Sequence, residues 1–154
     1  MTDSKEFGSA DEILDFAIAR EQESHDFYNG LADKMEKPWM EKVFRQFAKE
    51  ELGHKSRLEG VKAGKRLLSS ERKVMDLKMA DYLVAGEASP DMDYQEALIV
   101  AMKKEKAAFK LYHDLAAKVE DDSIKDLFLG LAQEEAKHKL RFEIEYDEVI
   151  LKDN

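Results

Sequence analysis

Two glutamate–histidine pairs with identical spacing are the residues of this chain best suited to chemistry. Each is a Glu-x-x-His sequence, formed by Glu51 with His54 and by Glu135 with His138. Residues three apart lie on one face of a helix, so each pair can direct a carboxylate and an imidazole at one point. These groups suit iron, manganese or zinc as ligands. The two pairs therefore predict two metal-binding positions.

A repeat of 84 residues relates these pairs and much of their surroundings. The same shift carries Glu21 onto Glu105 and Tyr28 onto Tyr112. Apolar neighbours are related in the same way: Phe44 to Phe128, Ala48 to Ala132, and Leu31 and Ala32 to Leu115 and Ala116. A repeat that preserves possible ligands together with their apolar surroundings predicts two related helical hairpins that close around a pair of metal ions.

Heptad-like apolar stripes predict the helices that position these residues. A capping box at Ser9–Glu12 starts the first helix near Ala10, and the second helix covers about 38–62. The third helix follows Asp93, and the fourth covers about 124–148. The break after the first helix is short, so the first two helices should be antiparallel neighbours.

Six ionisable residues interrupt these apolar stripes. They are Glu21, Glu51, His54, Glu105, Glu135 and His138. A buried, unpaired carboxylate costs several kcal/mol or takes up a proton, and no lysine or arginine stands at these positions. Two divalent cations would balance the four carboxylates. We therefore expect terminal glutamates from the first and third helices, bridging glutamates from the second and fourth, and one histidine for each metal.

The segment between the second and third helices lacks the heptad pattern. Residues 64–93 are numerous enough to run back along the bundle, which predicts a long crossover. A structureless loop of this length is unusual, so we expect a short helix at about 74–84. That helix would present Met75, Met79, Tyr82 and Leu83. Residues 9–148 then form one domain, with tails at 1–8 and 149–154.

Length and composition favour a single helical domain and exclude several functions. The chain has 154 residues, two prolines and seven glycines, and 38% of its residues are charged. A net charge of −9 argues against nucleic-acid and membrane partners. Without cysteine, the chain has no disulfide, thiol nucleophile or cysteine-ligated metal. It shows neither a membrane span nor a signal peptide, so we expect a cytoplasmic protein.

Two tyrosines share the seam with the predicted ligands. Tyr28 and Tyr112 stand about two helical turns beyond Glu21 and Glu105. Their hydroxyls could hydrogen-bond the bridging carboxylates as outer supports of the metal site, or their rings could fill the core.

Other polar residues near the stripes are assigned to the surface. Glu50 and Glu134 would become ligands only if each helix turned by about 100°, which would move apolar seam residues off the core. We therefore predict that both are surface residues. His25 and His113 fall off the seam and receive the same assignment, whereas Gly53 is expected to permit a close helix contact.

With this pattern the chain resembles the rubrerythrin-type members of the ferritin-like di-iron family, over about residues 9–148. The six seam residues, Glu21, Glu51, His54, Glu105, Glu135 and His138, stand where that family places its iron ligands. The resemblance implies an all-α, ferritin-like four-helix bundle with a long crossover between the second and third helices. It also implies two iron ions, or manganese or zinc in their place, and reduction of hydrogen peroxide or dioxygen.

Two features depart from that family. Rubrerythrins proper carry a cysteine-ligated rubredoxin domain, and a chain without cysteine must take electrons from a separate donor protein. The family also has an additional glutamate one turn from the terminal ligand of the third helix. Here Ala108 and Met102 stand three residues after and before Glu105, so the ligand switching of the peroxidase cycle lacks its glutamate.

The chain is also similar to bacterioferritin, which has the same ligand set. Leu52 stands where bacterioferritins carry the haem-ligating methionine, so we expect no haem. No segment after the fourth helix is long enough for the extra helix of cage-forming ferritins. The favoured function is an oxidoreductase; a ferroxidase or iron-handling protein and a metal-free helical interaction module stay open. Ferritin-like bundles commonly pair along a helix face, so the resemblance also implies a homodimer.

Overall fold

The computed structural model describes residues 6–84 and 92–151. Its helices, in chain order, are α1 (Ala10–Asp33), α2 (Pro38–Ala63), the single turn α3 (Glu71–Val74), α4 (Tyr94–Lys118) and α5 (Asp122–Tyr146). These described ranges contain no β-strand, and their one β-bridge joins Glu6 to Lys78. None of their helices combines the length and the apolar character needed to cross a membrane. The predicted all-α bundle is confirmed.

Side chains determine where the long helices begin. Ser9, Asp93 and Asp121 cap α1, α4 and α5 with side-chain oxygens that accept backbone N–H hydrogen bonds. Pro38 opens α2, where its missing N–H would have no partner within the helix. Glu71 of α3 accepts a hydrogen bond of 3.1 Å from the first backbone N–H of α1. The crossover is therefore attached to the same end of the bundle at which α1 starts.

The bundle consists of two helical hairpins, because α1 lies along α2 and α4 lies along α5. Two apolar clusters fill it. One includes Ile13, Leu14, Leu58, Leu115 and Phe128, and the other includes Tyr28, Met40, Phe44, Leu98 and Phe142. Along each long helix, the predicted ligands lie between the residues of the two clusters. The ionisable side chains therefore form a layer in the bundle interior, each at most 2% exposed.

The crossover differs from the single helix predicted over 74–84. It contains α3 and two 3-10 turns, at Leu68–Ser70 and Met79–Tyr82. Leu83, one of the residues that the predicted helix would present, is 56% exposed. Individual contacts with the bundle hold this segment, which has no regular apolar periodicity. For example, the buried Tyr82 donates a hydrogen bond of 2.7 Å to Asp114.

The predicted tails and part of the crossover are only partly described. Phe7, assigned to the N-terminal tail, is buried and packs edge-on against Phe16, with ring centroids 5.4 Å apart. Packing against the bundle therefore begins before residue 9. At the other end, the helix continues beyond α5 as a π-helical segment, Asp147–Leu151. The predictions for residues 1–5, 85–91 and 152–154 lie outside the described residues.

Candidate metal centre

The six predicted ligands meet in the middle of the bundle as two overlapping groups. Glu21, Glu51, His54 and Glu135 form one group, and Glu51, Glu105, Glu135 and His138 form the other. Within each group, one possible ligand atom from each residue lies within 4.8 Å of the others. The two shared glutamates come from α2 and α5, and the unshared ones come from α1 and α4. This is the arrangement expected for two bridging and two terminal carboxylates.

Each histidine lies closest to a particular set of carboxylates. His54 Nδ1 is 3.4 Å from Glu21 Oε2 and 3.2 Å from Glu135 Oε1. His138 Nδ1 is 3.4 Å from Glu51 Oε1, 3.6 Å from Glu105 Oε2 and 3.7 Å from Glu135 Oε1. The geometry therefore pairs each histidine with one terminal glutamate, an assignment that the sequence did not make.

Most inward-facing atoms of this layer lack a hydrogen-bond partner within the described part of the chain. They are Glu21 Oε2, both carboxylate oxygens of Glu51, Glu105 Oε2, Glu135 Oε1, and Nδ1 of His54 and His138. Buried polar atoms are nearly always hydrogen-bonded, so such a group calls for an explanation. Carboxylate oxygens and imidazole nitrogens are metal-binding atoms, and they are gathered here around two points. The residues present therefore fit a pair of divalent cations.

The outer nitrogens of the two histidines contact two further carboxylates. His54 Nε2 lies 3.2 Å from Glu134 Oε1, and His138 Nε2 lies 3.1 Å from Glu50 Oε1. An Nε2–H that donates to a carboxylate leaves the Nδ1 lone pair directed inward, as a metal ligand requires. The prediction that Glu50 and Glu134 are simply surface residues is wrong, since each is about one-third exposed and each contacts a histidine across the hairpins. The 84-residue shift that relates them was the available signal.

The two supporting carboxylates have different neighbours of their own. Arg57 Nη1 donates a 3.0 Å hydrogen bond to Glu134 Oε2, whereas Gln46 Nε2 donates one of the same length to Glu50 Oε2. Partial burial raises the pKa of Glu134, but Arg57 and His54 lower it by more, so the net pKa is below its usual value. Glu134 therefore remains an anionic acceptor for the histidine.

The two seam tyrosines donate to the terminal glutamates. The Tyr28 hydroxyl donates to Glu105 Oε1, and the Tyr112 hydroxyl donates to Glu21 Oε1. The prediction of hydrogen bonds to the bridging carboxylates is therefore wrong about the partners. Burial, followed by the charge of these carboxylates, raises the pKa of both tyrosines well above its usual value. Both tyrosines are therefore protonated donors.

Burial and like charge also act on the carboxylates themselves. Burial, followed by repulsion from neighbouring glutamates, raises the pKa of Glu51 and Glu135 well above the usual value. Burial lowers the pKa of His54, but Glu21 and Glu51 outweigh it and raise the value to about 9. For His138, the carboxylates of Glu105 and Glu51 overcome burial and raise the pKa to about 10. In the absence of metal, protons would thus provide the positive charge that the layer needs.

A cavity reaches this layer from the side of α1 and α4. Its volume is about 180 Å³, and it lies between these helices and the end of the first described part of the crossover. Glu21, Tyr112 and Glu135 form its buried inner end. We call it the α1/α4 chamber. It gives small molecules a route to the carboxylates that does not pass the histidines.

Three residues outside the layer were assigned from sequence. His113 is exposed, as predicted, and stacks on Phe109 with ring centroids 5.7 Å apart. His25, predicted on the surface, is half-buried, and its Nδ1 lies 3.0 Å from the carbonyl oxygen of Ala48, so it joins α1 to α2. Gly53 does not serve a close helix contact, because a Cβ built there would have no atom of another element within 4 Å.

Comparison with known proteins agrees with this geometry. A crystal structure described as a ferritin-like diiron-carboxylate protein from Thermotoga maritima has a TM-score of 0.77 to this chain at 20% sequence identity, covering 94% of this chain and 98% of that one. At this identity the likeness concerns the fold, which is therefore ferritin-like. No curated protein sequence matches the chain. The family model for rubrerythrin matches residues 12–146, nearly the whole of the bundle, and the chain therefore belongs to the rubrerythrin family.

Proposed function

We propose that this protein is a di-iron oxidoreductase that reduces hydrogen peroxide or dioxygen with electrons from a separate donor protein. The observation that carries the proposal is the set of unpartnered carboxylate oxygens and imidazole nitrogens that surrounds two points in the bundle interior. Membership of the rubrerythrin family supports iron as the metal. The absence of cysteine from the chain supports an external source of electrons.

The residues of the chain have distinct tasks in such a reaction. Glu51 and Glu135 would bridge the two ions, and Glu21 with His54 and Glu105 with His138 would complete the two sites. When bound, iron supplies the two electrons with which the O–O bond of a peroxide is cleaved. The overall reduction of hydrogen peroxide consumes two electrons and two protons and yields two water molecules.

Access and proton supply follow from the surroundings of the site. The histidine side is closed by Glu50 and Glu134, so the substrate would approach from the α1/α4 chamber. Tyr112 lines that chamber and holds a proton on its hydroxyl beside Glu21. Once this hydroxyl exchanges its hydrogen bond to Glu21 for one to the substrate, it would be placed to donate a proton to oxygen that becomes negative as the bond breaks.

The experiment combines metal analysis with turnover. The purified chain would be loaded anaerobically with ferrous iron, freed of excess metal, and assayed for iron content and for peroxide consumption with an added reductant. We expect two irons per chain and catalytic consumption. Glu51→Gln and His138→Ala should reduce both quantities together, since each removes a proposed ligand. Glu59→Gln, an exposed position on α2, is the matched control and should reduce neither.

Two results would overturn the proposal. A wild-type chain that retains no iron would favour a helical interaction module. Retention of many irons per chain in the presence of oxygen, without catalytic peroxide consumption, would favour iron handling. Full iron content and turnover in Glu51→Gln would contradict the assignment of the bridging ligand.

A further inference from the structure

We propose that the α1/α4 chamber binds the hydrocarbon part of a small, uncharged organic hydroperoxide and so directs its O–O bond toward the carboxylate layer. The inference rests on the proposed peroxide reduction and names a substrate class for it. It is carried by the size of the chamber, the chemistry of its walls and the side chains at its inner end.

The chamber is larger than hydrogen peroxide or dioxygen requires. Its volume is about 180 Å³, whereas these molecules have only two non-hydrogen atoms. An apolar protein cavity of about 150 Å³ is known to hold benzene, so this chamber has room for about six to ten non-hydrogen atoms. It is also smaller than the pockets of about 300–1,000 Å³ that hold drug-sized ligands. Its volume therefore corresponds to a small organic molecule.

Hydrocarbon side chains form much of the chamber wall. They are Phe16, Leu83, Val84, Ala107, Ala108 and Leu111. Such a wall offers no hydrogen bonds to a molecule as polar as hydrogen peroxide, but it favours an alkyl or aryl group that leaves water. The polar end of the ligand would face the inner end of the chamber, where Glu21, Tyr112 and Glu135 lie. A hydroperoxide has this combination of a hydrocarbon body and a polar end.

The basic residues of the chamber are already engaged, which favours an uncharged ligand. Arg20 pairs with Glu23 at 2.7 Å, and its guanidinium group lies 4.6 Å from the centre of the Phe16 ring. Lys104 Nζ lies 5.6 Å from the centre of the Phe27 ring. Arg20 thus has an anionic partner within its own helix and does not require one from the ligand.

Small side chains create the space beside the terminal glutamates. Ser24 and Ala108 stand three residues, or about one turn, after Glu21 and Glu105, and both line the chamber. The 84-residue repeat relates Ser24 to Ala108, so both hairpins place a small residue there. A larger side chain at either position would occupy the part of the chamber next to the carboxylate layer.

The reaction balances in the same way as the reduction of hydrogen peroxide. Breaking the O–O bond of R–O–OH consumes two electrons, which the bound iron would supply, and two protons from the solvent, and it yields R–OH and water. The separate donor protein would then restore the two electrons. The organic group is unchanged, so the chamber must accommodate the alcohol product as well.

The test fills the chamber and compares two peroxides. Iron-loaded wild type and Ala108→Leu would be assayed with tert-butyl hydroperoxide and with hydrogen peroxide, and binding of 2-methyl-2-propanol, the alcohol product, would be measured by calorimetry. We expect the ratio of kcat/KM for tert-butyl hydroperoxide to that for hydrogen peroxide to fall about tenfold or more in the variant, and alcohol binding to weaken similarly, because three added carbon atoms occupy ligand space.

Two further variants make the result decisive. Ala107→Leu fills a different part of the chamber and should also lower the ratio of the two kcat/KM values. This variant provides the test if Ala108→Leu folds poorly. Ala117→Leu makes the same change at an exposed position of α4 and should alter neither ratio nor binding. An unchanged ratio in both chamber variants, or no alcohol binding to wild type, would show that the chamber is a hydrated access path only. Alcohol binding that depends on Ala108, without consumption of either peroxide, would support the chamber and overturn the reductase function alone.

Discussion

The two sides of the carboxylate layer differ in what closes them. On the α2/α5 side, the outer nitrogens of His54 and His138 contact Glu134 and Glu50, and Phe47 stacks on the His138 ring with centroids 3.9 Å apart. On the α1/α4 side, a chamber of about 180 Å³ reaches Glu21 and Glu135. Fixed imidazoles suit a metal site, and the open space would admit the substrate of the proposed reaction. One layer of candidate ligands would thus separate a binding side from a reaction side.

The largest expected effect is a difference in kcat between variants of Tyr28 and Tyr112, the two tyrosines that the 84-residue repeat relates. Tyr112 lines the chamber, whereas Tyr28 packs against Phe142 in the apolar cluster and does not line it. We expect Tyr112→Phe to lower the kcat for peroxide about 100-fold, because it removes a proton donor on the substrate side. Tyr28→Phe should lower it only a few-fold. Steady-state assays at matched iron content measure both, and equal losses would refute the distinction between the two sides.

The next largest expected effect is a loss of metal affinity when the carboxylates on the α2/α5 side are removed. Glu134→Ala and Glu50→Ala each remove the acceptor of a histidine Nε2–H, so each should weaken binding of one metal about 10–100-fold. Competition with a chelator of known affinity measures this loss. The preference between the two peroxides should not change in molecules that are fully loaded with iron. An altered peroxide preference at unchanged affinity would reverse the roles assigned to the two sides.

A smaller effect distinguishes two arginines that the repeat relates. Arg57 contacts Glu134 and helps to hold its pKa below the usual value, whereas Arg141 Nη2 lies 3.6 Å from Met40 Sδ. In Arg57→Gln the Glu134 pKa should rise, so this carboxylate takes up a proton at a higher pH. Iron loss during acidification should therefore begin at a higher pH than in wild type. Arg141→Gln is the matched comparison, and an identical shift in both variants would contradict the assigned role of Arg57.

The smallest effect changes stability without changing chemistry. Gly53 is exposed in the interior of α2, and a Cβ there would meet nothing within 4 Å, so Gly53→Ala should stabilise the fold by about 0.5–1 kcal/mol. At Gly64 a Cβ would lie 3.1 Å from Arg66 Cγ and 3.3 Å from the carbonyl oxygen of Gly60, so Gly64→Ala should bring no such gain. Thermal unfolding measures both. A comparable rise for the two variants would show that local space does not decide the effect.

The sequence predicts the carboxylate layer well because the apolar residues around it recur with helical periodicity. Glu21 and Glu105 interrupt apolar stripes at positions that a helix must turn inward, and the 84-residue repeat shows that this is systematic. The roles of Glu50 and Glu134 were not predicted, because one residue along a helix rotates a side chain by about 100° away from the seam. Whether such a side chain meets a histidine depends on the neighbouring helix, which a single stripe does not reveal.

The periodicity of the sequence does not predict the structure of the crossover or the presence of the chamber. The predicted helix at 74–84 is replaced by α3 and two 3-10 turns, fixed by individual contacts such as the hydrogen bond from Tyr82 to Asp114. The chamber depends on the separation of α1 from α4, which are not adjacent in the chain. The small residues Ser24 and Ala108 indicate that space is available there, but they do not give its volume.

The hydrogen bonds that the seam tyrosines and the histidines of the layer make with carboxylates pass between the hairpins. Tyr28 of the first hairpin serves a glutamate of the second, Tyr112 of the second serves a glutamate of the first, and the histidines exchange carboxylate partners in the same reciprocal way. Neither half of the chain alone can orient a complete set of ligands. The two hairpins must therefore dock before the candidate ligands are all in place, and a nascent polypeptide can complete this arrangement only after α5 has been synthesised.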